Sequence, residues 1–454
     1  MKTIITVFGS TGDLMYKKLL PALTNLIRRN RMNKDLEILC VGRRDYTTED
    51  YIQEAKKQSL DTLEWKYIEP VIKYVKLDIK EKESYSTLNN IIKKNGQDLD
   101  VIFYLAVPPN LFPVIAEGIS EAKLIEKNDP SRRIVFEKPF GEDLKSAQSI
   151  NKKLWHYFDE SQIYRIDHFL GKDMIQNILV IRFANMIFES TWDHESIESV
   201  YIIAKEKEDI GSRGNFYDNI GALKDMVQNH LMQMVSLIAM EEPATFDETG
   251  IRQEKVKVLK NLRIDTEDLI LGQYQGYKDH DNVDQNSITE TFVAFKATIN
   301  NSRWNTTPFY FMTGKKLNEK RSEIIINFKP NTHVKKLWPD TDLSKNQLII
   351  RVAPEEGIYF EFNVKSAGLT SDIKAIPMDY CHTCQIPDGN VPEAYEKLIL
   401  DISNNNPTLF PRWDEIETAW AIIDALDKKL PKPFIYKDYD SLKPKLKNLF
   451  KEVT

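Results

Sequence analysis

The run Arg165-Ile-Asp-His-Phe-Leu-Gly-Lys172 gathers an acid, an imidazole and two cations directly after an apolar strand pattern. Such a set suits an anionic substrate. Asp167 and His168 fall at the carboxyl end of a strand, where open α/β sheets present reactive groups, and Gly171-Lys172 adds a compact ammonium able to meet phosphate. The same letters also describe a helix start in which Asp167 caps and Lys172 is solvated. A second chemical segment is Glu137-Lys-Pro-Phe-Gly141, where Lys138 closes a strand and Pro139, as a cis or a trans bond, fixes the backbone that aims the amine. The plain alternative is a surface lysine in a turn. Asp225 and His230 share a third segment, the helical pattern Gly221 to Met240. At about 100° per residue they sit about 140° apart and flank one face without overlapping. His230 is also in register with Leu223, Val227 and Met234, which describes a core histidine.

The elements that must position these residues follow from hydrophobic period. Short β-branched runs at Thr3 to Phe8, Glu37 to Val41, Ile72 to Leu77, Val101 to Ala106, Arg133 to Phe136 and Gln162 to Ile166 read as buried strands. Between them, Leu14 to Arg29, Thr48 to Ser59, Glu81 to Lys94, Phe112 to Leu124 and Lys145 to Phe158 carry helical periodicity. That alternation predicts α/β architecture, a doubly wound Rossmann-like domain over residues 1–167. After Lys172 the pattern changes to long alternating stretches: Ser199 to Lys205, Thr289 to Ile299, Phe309 to Met312, Glu323 to Lys329, Gln347 to Val352 and Ile358 to Lys365. Few helices separate the later ones. Residues 168–454 are therefore expected to form an α+β domain with a large, mainly antiparallel sheet, with helices at Gly221 to Met240, Val391 to Ile402 and Trp413 to Leu430.

The first strand runs straight into Gly9-Ser10-Thr11-Gly12-Asp13-Leu14, and the first helix follows. Glycines there let backbone N–H groups approach a pyrophosphate at a helix N-terminus, although the spacing is GxxG and a structural turn would use the same letters. Met15 stands where a small residue is expected for close packing. The second strand ends in Gly42-Arg43-Arg44, where an NAD site usually carries a carboxylate for the ribose hydroxyls. A guanidinium accepts a ribose 2′-phosphate, so NADP is favoured, with Arg43 first and Arg44 second; use of NAD as well stays open.

The bulk properties agree with a metabolic enzyme. With 454 residues the chain exceeds the size at which one core stops growing. A net charge of -6 gives no footprint for nucleic acid, and no apolar run is long enough for a bilayer, so a cytoplasmic protein without nucleic-acid or membrane partners is expected. Of the cysteines, Cys381-His-Thr-Cys384 has metal-like or redox-like spacing, but zinc would need two further ligands. The reading is a loop of ordinary thiols and no metal site.

Taken together, GSTGDL, FYLAVPP, EKPFG, RIDHFLGK, RFAN, KDMVQNHLMQ and MTGKKLNEK resemble the motifs of the glucose-6-phosphate dehydrogenase family, in the family's order and from Thr3 to about Leu426. The resemblance implies oxidation of the anomeric hydroxyl of β-D-glucose 6-phosphate to 6-phospho-D-glucono-1,5-lactone with NADP, the first step of the oxidative pentose phosphate pathway. It places the general base on His230 and its carboxylate partner on Asp167. His168 and Lys172 match phosphate-binding positions, Lys315 and Lys320 further substrate-site cations, and Glu206 and Asp225 the positions that hold sugar hydroxyls. Lys138 matches a lysine that touches substrate and cofactor. A homodimer or a dimer of dimers is implied too.

Three departures from the family pattern stand out. Phe169 replaces a tyrosine, Lys224 an arginine, and Asp440 to Thr454 lacks the expected glycine- and tryptophan-rich tail. Two rival readings are an oxidoreductase for unphosphorylated sugars of the glucose-fructose oxidoreductase type and a non-catalytic NADP sensor. Lys172, Lys315 and Lys320 weigh against the first, and intact His230 and Asp167 against the second.

Overall fold

The computed structural model describes residues 2–96, 98–331, 333, 343–369, 372–385, 392–426 and 430–450. Val391, where one expected helix starts, residues 427–429 near the end of another, and the last four residues of the tail lie outside these. The chain forms two compact units.

The first unit comprises Met1–Lys172, Thr245–Arg252 and Pro392–Glu417. Its six-stranded parallel sheet contains β1 (Lys2–Phe8), β2 (Leu36–Gly42), β3 (Ile72–Lys76), β4 (Leu99–Leu105), β5 (Arg132–Phe136) and β6 (Ile163–Arg165), in the order β3-β2-β1-β4-β5-β6. This is the doubly wound order, with the switch point between β1 and β4. Every residue of β4 is buried, as a central strand covered on both faces requires. Its one charge, Asp100, is met by Arg133 of β5. The flanking helices begin where side chains can satisfy their open N–H groups: Thr47 with Asp50, and Asp143 with Ser146, form reciprocal capping pairs.

The last two segments of this unit come from parts of the sequence expected in the second domain. Leu398, Ile399 and Ile402 of the helix Ala394–Ser403 join the core formed by β1 and the helix Leu20–Arg28. Tyr164 of β6 packs edge-on against Phe410 at 4.8 Å and donates to Asn405 at 2.9 Å. Arg252 donates to the carbonyls of Pro407 and Phe410.

The second unit comprises Asp173–Ala244, Gln253–Val391 and Thr418–Thr454. Its strands are β7 (Ile197–Lys205), β8 (Leu262–Ile264), β9 (Ile270–Tyr274), β10 (Phe292–Ile299), β11 (Phe309–Gly314), β12 (Arg321–Phe328), β13 (Gln347–Ala353), β14 (Gly357–Lys365), β15 (Ile373–Cys381) and β16 (Phe434–Tyr436). The order is β15-β14-β13-β12-β7-β11-β10-β9-β16, with β8 also on β10. The sheet is mainly antiparallel as expected, but β11 runs parallel to β7 and β16 parallel to β9. The short strands β8, β9 and β16 carry too few residues for alternation to be visible in sequence.

The expected helix from Gly221 is two elements, a π-helical stretch Leu223–Leu231 and an α-helix Met232–Ala239. Its end is buried, so its terminal carbonyls need partners. Arg182 of the RFAN motif donates to Leu237 O at 3.0 Å, Trp192 to Ile238 O at 2.8 Å and Trp304 to Ala239 O at 2.8 Å. Three large buried side chains thus hold the helix that carries His230.

Candidate active site

In the first unit the chain leaves β1 at Gly9 with φ +80°, and a side chain there would strike the Ala106 carbonyl, so glycine alone fits. Buried Ser10 turns its hydroxyl inward to Val41 O at 2.9 Å, and Tyr51 donates to Ser10 O at 3.0 Å. These bonds tie the turn to β2. Gly12 N–H reaches Gly9 O at 3.0 Å, and Thr11 completes the turn into a helical run that opens with Asp13 and Leu14 and continues from Met15. Met15, fully buried, sits in a π-helical first turn Met15–Leu19, wider than an α-turn.

At the end of β2, Arg44 donates to Tyr46 Oη at 3.0 Å and lies 5.7 Å from the Tyr46 ring centre. Arg43 is exposed and has no partner among the described residues. The glycine cradle, the helix start and an available guanidinium fit a dinucleotide bearing a 2′-phosphate.

Lys138 follows β5, and the Lys138–Pro139 peptide is cis. The residue before it, Glu137, escaped the sequence reading. It accepts Tyr104 Oη at 2.5 Å and Tyr395 Oη at 3.2 Å. Removal from water pushes its carboxyl up to about 7 despite these donors and the Lys138 charge, and the charge of Asp167 adds to the rise. Lys138, Glu137 and Asp167 therefore share one electrostatic neighbourhood at the carboxyl ends of β5 and β6. The glutamate in EKPFG was a visible signal, whereas Tyr395, 258 positions away, was not.

The opening motif divides. Arg165 is buried, and its guanidinium grips Glu160 at 2.6 and 3.0 Å and Asn151 at 2.7 Å. Of the two cations in the motif, the one on β6 points into the helix layer beside the sheet, toward Asn151. Asp167 is buried, and one carboxylate oxygen accepts Phe169 N–H at 3.0 Å, so it does stabilise the following turn as the capping alternative has it. Lys172 is not simply solvated: its ammonium lies 4.7 Å from the Phe169 ring centre. His168 meets the same ring at 5.2 Å. Gly171 is needed because a side chain there would run into Ala394 and Leu398.

In the second unit, Glu206 follows β7 and receives Lys315 Nζ at 2.6 Å. Lys315 is buried, 5.1 Å from the Tyr217 ring centre, and its carbonyl accepts Tyr436 Oη at 2.6 Å. Burial, then the charges of Asp225, Glu290 and Glu206, drive the Tyr217 hydroxyl well above its usual range. Glu206, Asp225 and Lys315 thus gather about Tyr217, joined by Glu290, which holds Leu223 N–H at 2.9 Å. Neither Tyr217 nor Glu290 carried a sequence signal. Lys320, by contrast, is exposed beside the start of β12 and is not part of this cluster's bonding.

The π-winding alters the expected relation of Asp225 to His230. With i→i+5 bonds, residues five apart stack nearly one above the other, so the two side chains leave one face and are not splayed by about 140°. The Asn229 amide on Lys224 O at 3.2 Å spans the same interval. His230 is fully buried, the feature that the core reading and a catalytic one share.

Residues 6–177 match the family profile "Glucose-6-phosphate dehydrogenase, NAD binding domain" and residues 179–452 match "Glucose-6-phosphate dehydrogenase, C-terminal domain". The chain belongs to the glucose-6-phosphate dehydrogenase family. It is similar to glucose-6-phosphate 1-dehydrogenase of Bacillus subtilis, 39% identical over 449 residues with 94% of this chain and 91% of that one covered. The corresponding protein of Chlamydia muridarum is 37% identical over 455 residues, covering 93% and 89%. Among solved structures, a glucose-6-phosphate dehydrogenase in complex with glucose 6-phosphate superimposes with a TM-score of 0.88 at 34% identity, covering 96% of this chain and 94% of that one. As a member of the family the chain is an NADP-linked oxidoreductase acting on glucose 6-phosphate, which sets aside the unphosphorylated-sugar and sensor readings.

Proposed function

We propose that in this dehydrogenase His230 is the general base that takes the anomeric proton of β-D-glucose 6-phosphate, with Asp167 as its carboxylate partner. An imidazole, with an ordinary pKa of about 6.5, removes that proton near neutrality, and a carboxylate stabilises the imidazolium that results. His168 and Lys172 bind the phosphate, Lys315 and Lys320 add further substrate-site cations, and Glu206 and Asp225 hold the sugar hydroxyls. Lys138 orients both substrate and cofactor. The cofactor supplies a hydride acceptor, with Gly9 to Leu14 holding its pyrophosphate and Arg43 its 2′-phosphate.

The observation that carries this reading is the grouping of Glu206, Asp225 and Lys315 about Tyr217, with Asp225 and His230 on one face of one π-helical element. Charged groups already in place, with Lys315 and Glu206 joined at 2.6 Å, need little reorganisation when a polyhydroxylated ligand arrives. The same reading includes a cytoplasmic location, alongside a metabolite substrate and a soluble cofactor; no described helix is long and apolar enough to cross a membrane. It also includes a homodimer, or a dimer of dimers, formed through the large sheet, where no residue of β15 is buried.

The test is the rise of reduced-cofactor absorbance with NADP and NAD, using glucose 6-phosphate and free glucose. The 6-phosphate is turned over, with NADP preferred, and glucose barely. His230→Asn lowers kcat by at least about 100-fold with substrate binding largely kept. Undiminished turnover in that variant refutes the base assignment.

A further inference from the structure

The chain's cysteines fall into two kinds. Cys40 lies wholly inside β2, where burial pushes its thiol up to about 12 and leaves it inert. Cys381 and Cys384 are joined as a disulfide at the end of the edge strand β15, Cys384 exposed and Cys381 half-buried, with Cα atoms 5.3 Å apart. Polar groups surround Cys381 Sγ: the Cys384 N–H at 3.2 Å and Thr383 Oγ1 at 3.5 Å. A sulfur that meets a backbone N–H in a CxxC turn is a good leaving thiolate.

The ring closed by this bond contains His382, whose position is shared by two other elements. Its N–H donates to Glu356 O at 3.0 Å ahead of β14, and its ring lies 3.1 Å from Asp173 Oδ2, 3.9 Å from Glu356 Oε2 and 3.2 Å from Tyr380 Oη. Asp173 opens the helix Asp173–Phe183 and follows Lys172 directly in the chain. The disulfide therefore limits the freedom of a residue that clasps the start of that helix.

We propose that Cys381 and Cys384 are a reversible dithiol/disulfide modification site whose oxidised form holds His382 on Asp173 and so favours binding of the phosphorylated substrate; the effect on binding rests on the role given above to Lys172. The co-reactant is a dithiol, small or carried by a protein. Its thiolate attacks exposed Cys384 Sγ, the S–S bond breaks, and Cys381 leaves as a thiolate that takes a proton. The second thiol of the reductant then attacks the mixed disulfide, releasing Cys384 as a thiol. Two electrons and two protons pass to the protein, and the reductant leaves as its own disulfide.

The experiment uses the full chain, oxidised with oxidised dithiothreitol or reduced with dithiothreitol, then alkylated with iodoacetamide in denaturant and analysed by mass spectrometry. Oxidised protein takes one label, at Cys40, and reduced protein three, interconverting as the ratio of the two reagents is varied. The KM for glucose 6-phosphate rises about threefold on reduction, the scale of losing one partly exposed ion pair, at unchanged kcat. The double variant Cys381→Ser/Cys384→Ser shows the reduced KM under both conditions, and so does His382→Asn, although His382→Asn still forms the disulfide. Three labels after oxidation overturn the site, and equal KM in the two labelled states overturns the clasp. A chain with no activity toward glucose 6-phosphate but a reversible two-thiol change overturns the proposed function and upholds the site.

Discussion

Replacing Arg165 by methionine separates a substrate cation from a buried strut. The guanidinium is 2% exposed and makes two bonds to Glu160, at 2.6 and 3.0 Å, and one to Asn151 at 2.7 Å. Glu160 is also held by Trp155 Nε1 at 2.8 Å and Trp413 N–H at 2.9 Å. Removing one member of a buried pair costs about 3–5 kcal/mol. The two remaining donors keep part of the carboxylate's stabilisation, so the lower end, about 3 kcal/mol, is expected.

The pH dependence follows from Glu160. Burial alone would raise its carboxyl, but Arg165 and the tryptophan donors together hold it below the usual glutamate range. A depressed folded pKa adds stability above the unfolded value of about 4.3, and that stability disappears as pH falls through the folded pKa. The gap between the parent and Arg165→Met should therefore be widest near neutrality and shrink below about pH 4. Urea unfolding at both pH values, followed by fluorescence from Trp155 and Trp413, whose rings are 6.3 Å apart beside Glu160, measures it. KM for glucose 6-phosphate should stay within about threefold of the parent, whereas a lost substrate cation would raise it by about tenfold or more. A variant of unchanged stability with a tenfold higher KM refutes the strut.

Other variants probe the rest of the site. Arg43→Ala should raise KM for NADP by about 10- to 100-fold, the worth of a charged hydrogen bond, and leave KM for NAD unchanged; equal effects on both cofactors would place the 2′-phosphate elsewhere. Phe169→Leu removes the ring beneath the Lys172 ammonium and should raise KM for glucose 6-phosphate roughly two- to fivefold, with kcat kept. Glu137, raised from 4.5 to about 7, is a group whose stabilising contribution is full below the lower value and lost as pH rises through the higher. Glu137→Gln should flatten the decline of stability between these limits, and an unchanged slope in denaturant titrations would show that Glu137 does not titrate there.

The strands β1 to β6 and the helices between them were legible because a doubly wound sheet is buried on both faces. Most of these strands then write themselves as short, largely apolar runs, while β3 at the sheet's edge interrupts its run with exposed Lys73 and Lys76. The glycine turn after β1 and the chemical letters of EKPFG and RIDHFLGK were legible for a related reason, since strand ends in such a sheet are where chemistry sits. The disulfide of Cys381 and Cys384 is not legible, because two cysteines of spacing CxxC show their distance in sequence but not the turn that brings the sulfurs together.

The sequence by itself determined the family, the parallel sheet and the identity of most charged groups in the site. Tertiary structure alone decided what those groups do. Arg165 became a strut because Glu160 and Asn151 reach it. Lys315 became a buried partner of Glu206 because β7 and β11 lie side by side and parallel. Asp225 came onto the face of His230 because the helix is wound with i→i+5 bonds. Periodicity reports burial along a segment, since the backbone repeats locally. The partner of a charge is chosen by packing among residues up to hundreds of positions apart, and no local pattern records that choice.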